Sequence, residues 1–142
     1  MKIKRFEELT AREVYEILHC RSEVFVVGQK CIYQDIDELD FRSTHLYFED
    51  NGKITAYLRI IDPGVKFPAA SIGRVLTMPT YRGHGLARKM MTEAIRIGKT
   101  MSDSIEIEAH AYLVKFYESL GFVQTSEIFM YENLPHVSMT LK

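Results

Sequence analysis

Val75-Leu76-Thr77-Met78-Pro79-Thr80-Tyr81-Arg82-Gly83-His84-Gly85-Leu86-Ala87 reads as the end of a strand, a sharp turn and the start of a helix. Pro79 cannot donate to a sheet ladder and so stops the strand. A helix N-terminus offers unpaired N–H groups and a partial positive charge, and glycines let an anion approach that backbone closely, so the stretch predicts a phosphate-binding loop. A P-loop would require Gly-Lys-Ser/Thr, but Gly85 is followed by Leu86 and Ala87. A dinucleotide fingerprint would require a third glycine where Arg88 stands, although Gly83, Gly85 and Glu106 or Glu108 imitate the rest. The bland alternative is a glycine-rich helix start that binds nothing.

The flanks define the loop's setting. After it, Leu86, Met90, Ala94 and Ile97 form one helical row while Arg88, Lys89, Glu93 and Arg96 project elsewhere, which predicts an amphipathic helix lying on a sheet. Before it, Ser71 to Met78 reads as a strand. His45–Glu49 and Ile54–Ile61 flank Asp50-Asn51-Gly52-Lys53, a hairpin signal. Because these earlier strands are antiparallel in pattern and the loop lies past mid-chain, too few residues remain for a doubly wound parallel sheet.

Further out, Thr10-Ala11-Arg12-Glu13 has the form of a capping box, and Val14, Ile17, Leu18, Arg21, Val24 and Phe25 continue at helical spacing. One helix, broken or not, is expected from Ala11 to the late twenties. Gly28 to Ser43 is acidic and without period, an irregular loop. Ile105, Ile107 and Ala109 alternate with Glu106 and Glu108 as in a half-buried strand. Leu113, Phe116, Tyr117 and Leu120 are helically spaced up to Gly121, a left-handed cap. Phe122–Tyr131 and His136–Leu141 then predict a closing strand pair. The chain contains no repeat and no linker, so residues 1–142 are expected to form a single α/β domain.

Composition narrows the function classes. At 142 residues the chain is 46% hydrophobic and 26% charged with a formal net charge of -1, which supplies no field for nucleic acid and no basic patch for a membrane surface. No segment approaches the ~20 apolar residues of a membrane span, and the N-terminus lacks a secretory apolar stretch. Cys20 and Cys31 lack the doublet spacing of zinc or redox pairs and read as reduced thiols. The expectation is a cytoplasmic, metal-free protein with a small-molecule partner.

Arg82-x-x-Gly85-x-Ala87 resembles the Arg/Gln-x-x-Gly-x-Gly/Ala signature of the GNAT superfamily of N-acetyltransferases, and Phe116-Tyr117-Glu118-Ser119-Leu120-Gly121-Phe122 resembles its Tyr-x-x-x-Gly-Phe stretch. Arg21 to Val27, Gly73-Arg74-Val75 and Pro135-His136 extend the likeness to the ElaA-like branch over nearly the whole chain. The resemblance implies a GNAT fold: a mixed, splayed sheet of about six or seven strands with helices on both faces. It also implies a V between the fourth and fifth strands, here Ser71–Met78 and Ser104–Ala109. It further implies acetyl-CoA as cosubstrate, its pyrophosphate on Arg82, Gly83, His84, Gly85, Leu86 and Ala87, and its pantetheine amides on main-chain groups of Val75, Leu76 and Thr77. His110 stands where many relatives carry an Asn or Gln that contacts the coenzyme arm, and Gly28 replaces a Glu expected of the ElaA branch.

In that superfamily an amine attacks the thioester directly, and Tyr117 matches the usual proton donor to the leaving thiolate. A phenol with pKa near 10 is protonated at neutral pH, as that role requires, although Tyr117 also continues an apolar row. Glu108, His110, Glu132 and His136 are candidates for receiving the amine proton, and each also reads as an ordinary strand-face or loop side chain. Arg59 and Arg74 interrupt apolar strands and call for an acid, either an internal one such as Asp35, Asp37 or Asp40, which is slightly favoured, or a substrate carboxylate. Cys31 has no activating base nearby in sequence and reads as structural. Two other functions fit the same cleft: a non-catalytic acyl-CoA-binding or regulatory module, and an acyl-homoserine lactone synthase-like acyltransferase. The acceptor is a small-molecule or peptide amine. The sequence sets no oligomeric state, and a homodimer is compatible with it.

Overall fold

Lys53–Ile61 (β3) is buried at every residue after Lys53, because both of its faces are covered. Side chains alternate across a strand, so Ala56, Leu58 and Ile60 join one apolar cluster while Tyr57 joins another on the opposite face. The computed structural model, which describes all 142 residues, places β3 third in one eight-stranded sheet. The strands are Lys2–Arg5 (β1), Ser43–Asp50 (β2), β3, Ala70–Thr77 (β4), Ile105–His110 (β5), Val123–Gln124 (β6), Phe129–Tyr131 (β7) and Leu134–Leu141 (β8). Their spatial order is β1-β2-β3-β4-β5-β8-β6, with β7 also on β8.

The larger cluster lies under the helix Leu86–Met101 (α2), whose Met90, Met91 and Ala94 meet Leu58, Ile60, Ile105 and Ile107. Gly98 permits this approach, since a Cβ there would lie 2.8 Å from Ile105 Cδ1. On the other face the helix Ala11–Arg21 (α1) packs Ile17 and Cys20 against Tyr47, Tyr57 and Leu76. Thr10 and Glu13 cap α1 reciprocally, as the capping box predicts. The short helix Val114–Glu118 (α3) adds Tyr117 to the larger cluster. No helix is long and apolar enough to cross a membrane.

The sheet differs from the expected six or seven strands in two places. Lys2–Arg5 forms an edge strand on β2 that its mixed side chains, none of them buried, do not announce. The single strand expected over Phe122–Tyr131 is two short ones, each pairing separately with β8. The first helix also breaks: beyond Arg21 the chain widens into π-helical turns over Ser22–Val27, closed by Gly28 N–H on Glu23 O at 2.8 Å. A Cβ at Gly28 would lie 2.8 Å from that same oxygen, which accounts for glycine at this position.

The aperiodic segment after Gly28 is fixed by charge. Arg21, fully buried on α1, donates through Nε to Asp35 at 2.9 Å and through Nη1 to Asp40 at 2.6 Å. Arg59 on β3 holds Asp37 with both terminal nitrogens and reaches Asp40 at 3.0 Å. Arg74 on β4 donates to the main-chain oxygen of Asp35 at 3.1 Å, and its Nε lies 2.9 Å from Asp35 Oδ1 but off the N–H direction, an ion contact rather than a hydrogen bond. Both strand arginines therefore have internal partners. Arg21, which helical spacing alone places in an apolar row, is the third cation of the group.

Replacing Arg59 by Gln should cost about 3 kcal/mol by leaving buried acid uncompensated, a fall in Tm of roughly 6–12 °C for a domain of this size. Arg74→Gln should cost less, because Asp35 and Asp37 keep Arg21 and Arg59. Burial raises the Asp37 carboxyl, but the hydrogen bonds and charge of Arg59, with the charge of Arg74, outweigh it and bring it from 3.8 to about 2. Its contribution is thus fully present above pH 3.8 and is lost as pH falls toward 2. Thermal melts across that window should show the acid loss in the native protein and a flatter profile in Arg59→Gln.

Candidate active site

The pairing of β4 with β5 is parallel and lasts for only Ala70↔Ile105 and Ser71↔Glu106. Beyond Ser71 the strands diverge, and the outer main-chain edge of Ile72–Thr77 faces a gap. Val75, Leu76 and Thr77 therefore line the gap. The gap opens into a cleft of about 700 Å³ that continues over Arg82, Gly83, Gly85, Leu86 and Ala87.

The loop's geometry explains its residues. Pro79–Tyr81 makes one tight turn, anchored by Met78 N–H on Thr55 O at 2.8 Å, and the Arg82 side chain is tied back to Thr77 O at 3.1 Å. Gly83 and Gly85 adopt φ of +86° and +75°, which side-chain-bearing residues rarely do. Nothing lies within 4 Å of where their Cβ atoms would be, so the space above the backbone is open. Lys89 N–H is taken by Gly85 O at 3.1 Å, which leaves the first amides of α2, on Leu86, Ala87 and Arg88, without helical partners. Arg88 leans over the Phe116 ring at 5.3 Å and donates to Ser119 at 2.9 Å, adding positive charge to the facing wall. His84 sits exposed at the tip. These features fit a diphosphate.

The opposite wall comes from β5 and α3. Tyr117 is 7% exposed, packs edge-on against Phe116 and Phe122, and still lines the cleft. Burial pushes its phenol above the ordinary range, so it carries its proton at neutral pH. Tyr117 is thus a core side chain and a cleft side chain at once. His110 lies beside it, and its Nδ1 is buried without a partner. Burial, and then the neighbouring charge of His136, bring the His110 imidazole from 6.5 down to about 4. The two histidine rings lie 4.5 Å apart. His136 Nδ1–H donates to Leu134 O at 2.8 Å, so in its neutral form Nε2 carries the lone pair.

A second chamber of about 90 Å³ lies on the far side of the gap. It shares Phe25, Gln29, Val75, His110, Leu113 and Tyr117 with the larger cleft, so the two meet at the His110–Tyr117 wall. Glu108, Glu132 and His136 all face this chamber. Glu108 is paired with Lys66 at 2.7 Å, and Glu132 lies 3.9 Å from Arg74. Glu106 belongs elsewhere, accepting from Thr140 at 3.1 Å. Cys31 donates its thiol to Glu132 O at 2.8 Å and ties the acidic loop to the β7–β8 turn, a structural role. Phe25, Gln29, Lys66 and Tyr131 escaped sequence reasoning. The first two follow a helix break with no local signal, and Lys66 lies in an aperiodic turn.

Comparison with known proteins gives the same picture. Residues 7–142 match the family model described as an acetyltransferase (GNAT) domain. A UPF0039 protein of Schizosaccharomyces pombe is 36% identical over 98% of this chain and 94% of its own length. The crystal structure of an acyl-CoA N-acyltransferase from Pseudomonas aeruginosa superposes with a TM-score of 0.93 at 34% identity, covering 99% of this chain and 97% of that one. Escherichia coli ElaA superposes with a TM-score of 0.91 at 29% identity, covering 99% and 97%. The acyl-homoserine lactone synthase LasI, at 16% identity and a TM-score of 0.78 over 98% and 87%, shares the fold alone.

The depressed His110 has a direct readout. Its imidazole resonances should titrate near pH 4 rather than 6.5. A histidine held neutral in the fold contributes stability that is full above pH 6.5 and declines as pH falls toward 4, because the unfolded chain then binds the proton first. Two-dimensional NMR of ring-labelled protein checks the value.

Proposed function

Since the chain belongs to the acetyltransferase (GNAT) domain family, we propose that its two-chambered cleft takes acetyl-CoA along the β4–β5 gap and passes the acetyl group to a primary amine held in the smaller chamber. The observation that carries this reading is the unpaired edge of β4 running directly into the open, glycine-lined N-terminus of α2. An extended chain with amides can pair with such an edge, and a diphosphate suits such a helix start. Bound there, acetyl-CoA supplies an activated thioester.

The remaining work belongs to this chain's own side chains. Main-chain groups of Val75, Leu76 and Thr77 hold the amides of the coenzyme arm. Arg82, Gly83, His84, Gly85, Leu86 and Ala87 form the pyrophosphate cradle. Tyr117, protonated and at the junction, gives its hydroxyl proton to the departing thiolate. His110, held neutral and lining both chambers, adds no positive charge to repel the incoming amine, and the proton that the amine nitrogen sheds as the amide forms restores the Tyr117 phenol. The two unpaired, buried cysteines suit a reducing compartment, and we place the reaction in the cytoplasm.

A panel of amines assayed for CoA thiol release tests the reading. Acetyl-CoA binding without release on any amine would favour a binding module. Preference for long acyl chains over acetyl-CoA would favour a lactone synthase-like reaction.

Gly85→Val should strain a backbone at φ +75° and project methyl groups into the open cradle, weakening acetyl-CoA binding at least tenfold, about 1.4 kcal/mol. Calorimetry on the folded variant reads this, and unchanged affinity would remove the loop from coenzyme binding. Tyr117→Phe keeps the ring in its apolar setting and removes only the hydroxyl. Its kcat should fall by ~10²-fold with coenzyme affinity nearly constant; a native kcat would discard Tyr117 as donor.

A further inference from the structure

The smaller chamber already holds a primary ammonium. Lys66, in the turn between β3 and β4, places Nζ 2.7 Å from Glu108 and 5.3 Å from the centre of the Tyr131 ring, with the Phe67 ring at 5.6 Å on the same cation. A carboxylate together with aromatic faces is the arrangement that recognises an alkylammonium. The Lys66 side chain is 25% exposed and its turn is closed by one main-chain bond, Gly64 N–H on Phe67 O, so the side chain can swing out without disturbing the sheet.

The surrounding charge favours a cationic replacement. Five carboxylates, Asp35, Asp37, Asp40, Glu108 and Glu132, stand against three guanidiniums, those of Arg21, Arg59 and Arg74. With Lys66 withdrawn, two negative charges remain uncompensated. Every guanidinium is engaged by an internal acid, so a substrate carboxylate finds no free partner. Glu108 and His110 lie two residues apart on one face of β5, ~6.6 Å along the strand, roughly the reach of a butane- or pentane-diamine.

We propose that Lys66 is an internal stand-in for the acceptor, and that the acceptor is an alkyl diamine or polyamine whose second ammonium displaces Lys66 from Glu108 and Tyr131 while its first amine meets the thioester beside His110. The inference rests on the acetyltransfer reading above and makes Lys66 a specificity-determining residue of that reaction.

The test compares native protein, Lys66→Gln and Lys66→Arg, each saturated with CoA, for calorimetric binding of butane-diamine. Acetyl-CoA turnover is measured in parallel with the diamine and with aminobutanol, whose far end is neutral. An internal competitor lowers apparent affinity by the fraction of time it occupies the seat. Lys66→Gln should therefore bind the diamine about tenfold more tightly and lower its KM by a similar factor at constant kcat. Lys66→Arg should behave as native, and aminobutanol kinetics should not move. Adding Glu108→Gln to Lys66→Gln should erase the gain in binding. Diamine binding unaffected by Lys66→Gln overturns the proposal, as does native turnover of aminobutanol equal to that of the diamine. Absence of CoA release with every amine would instead strike the acetyltransfer reading, and the binding comparison would still decide who occupies the seat.

Discussion

A strand that loses its neighbour partway along carries N–H and C=O groups that must find other partners, and β4 does so after Ser71. The cleft depends on keeping that edge open. Arg74 contributes to this. Its φ of +52° interrupts the strand where the register with β3 shifts, and its guanidinium is drawn chiefly toward Asp35 and Asp37. On the β5 side, Ile107 and Ala109 turn into the core under α2 while Glu108 and His110 face the chamber. The wedge is thus held by packing on one face and by ion pairs on the other.

The buried ion group is better understood as a positioning device than as a source of stability. Desolvating three guanidiniums and three carboxylates costs several kcal/mol per ion, which their mutual attraction roughly offsets. Directional bonds give geometry instead. Arg21 belongs to α1, Arg59 to β3 and Arg74 to β4, and all three reach acids between Asp35 and Asp40. One loop, whose only regular structure is a 3-10 turn over Leu39–Arg42, is thereby fixed to a helix and two strands. His45 extends the group, with one ring nitrogen on Asp40 O and the other on the Tyr57 hydroxyl. Tyr33 leaves the same loop to stack under Arg74 and line the smaller chamber.

The glycine loop, hairpin, α2 and β5 were legible because their residues answer local rules: glycine at positive φ, proline at a strand end, apolar period along a helix or strand. The GNAT likeness then supplied the splay, which no local rule predicts. The acid group was only half legible. Arg59 and Arg74 stand out in apolar strands, but Arg21 has helical spacing and looks like a core position, and three aspartates in a loop do not show which cations they meet. Lys66, Tyr131, Phe25 and Gln29 left no signal. Their role comes from tertiary proximity across segments far apart in sequence.

The two ends of the smaller chamber impose opposite conditions on an amine. A free alkylamine with pKa near 10 is about one part in a thousand neutral at pH 7, a penalty of roughly 4 kcal/mol for the form that can attack. His110 reports how the junction treats cations: burial there has taken an imidazole from 6.5 to about 4. The same desolvation acts on an ammonium that reaches that point and lowers its pKa too. Two residues along the strand, Glu108 and the Tyr131 ring offer a carboxylate and an aromatic face, surroundings that favour a charged ammonium. A diamine spanning the chamber is therefore driven to lose a proton at the end beside the thioester and to keep one at the other. For a diamine a strong base is then not required, because the difference in environment between the two ends selects which nitrogen becomes nucleophilic.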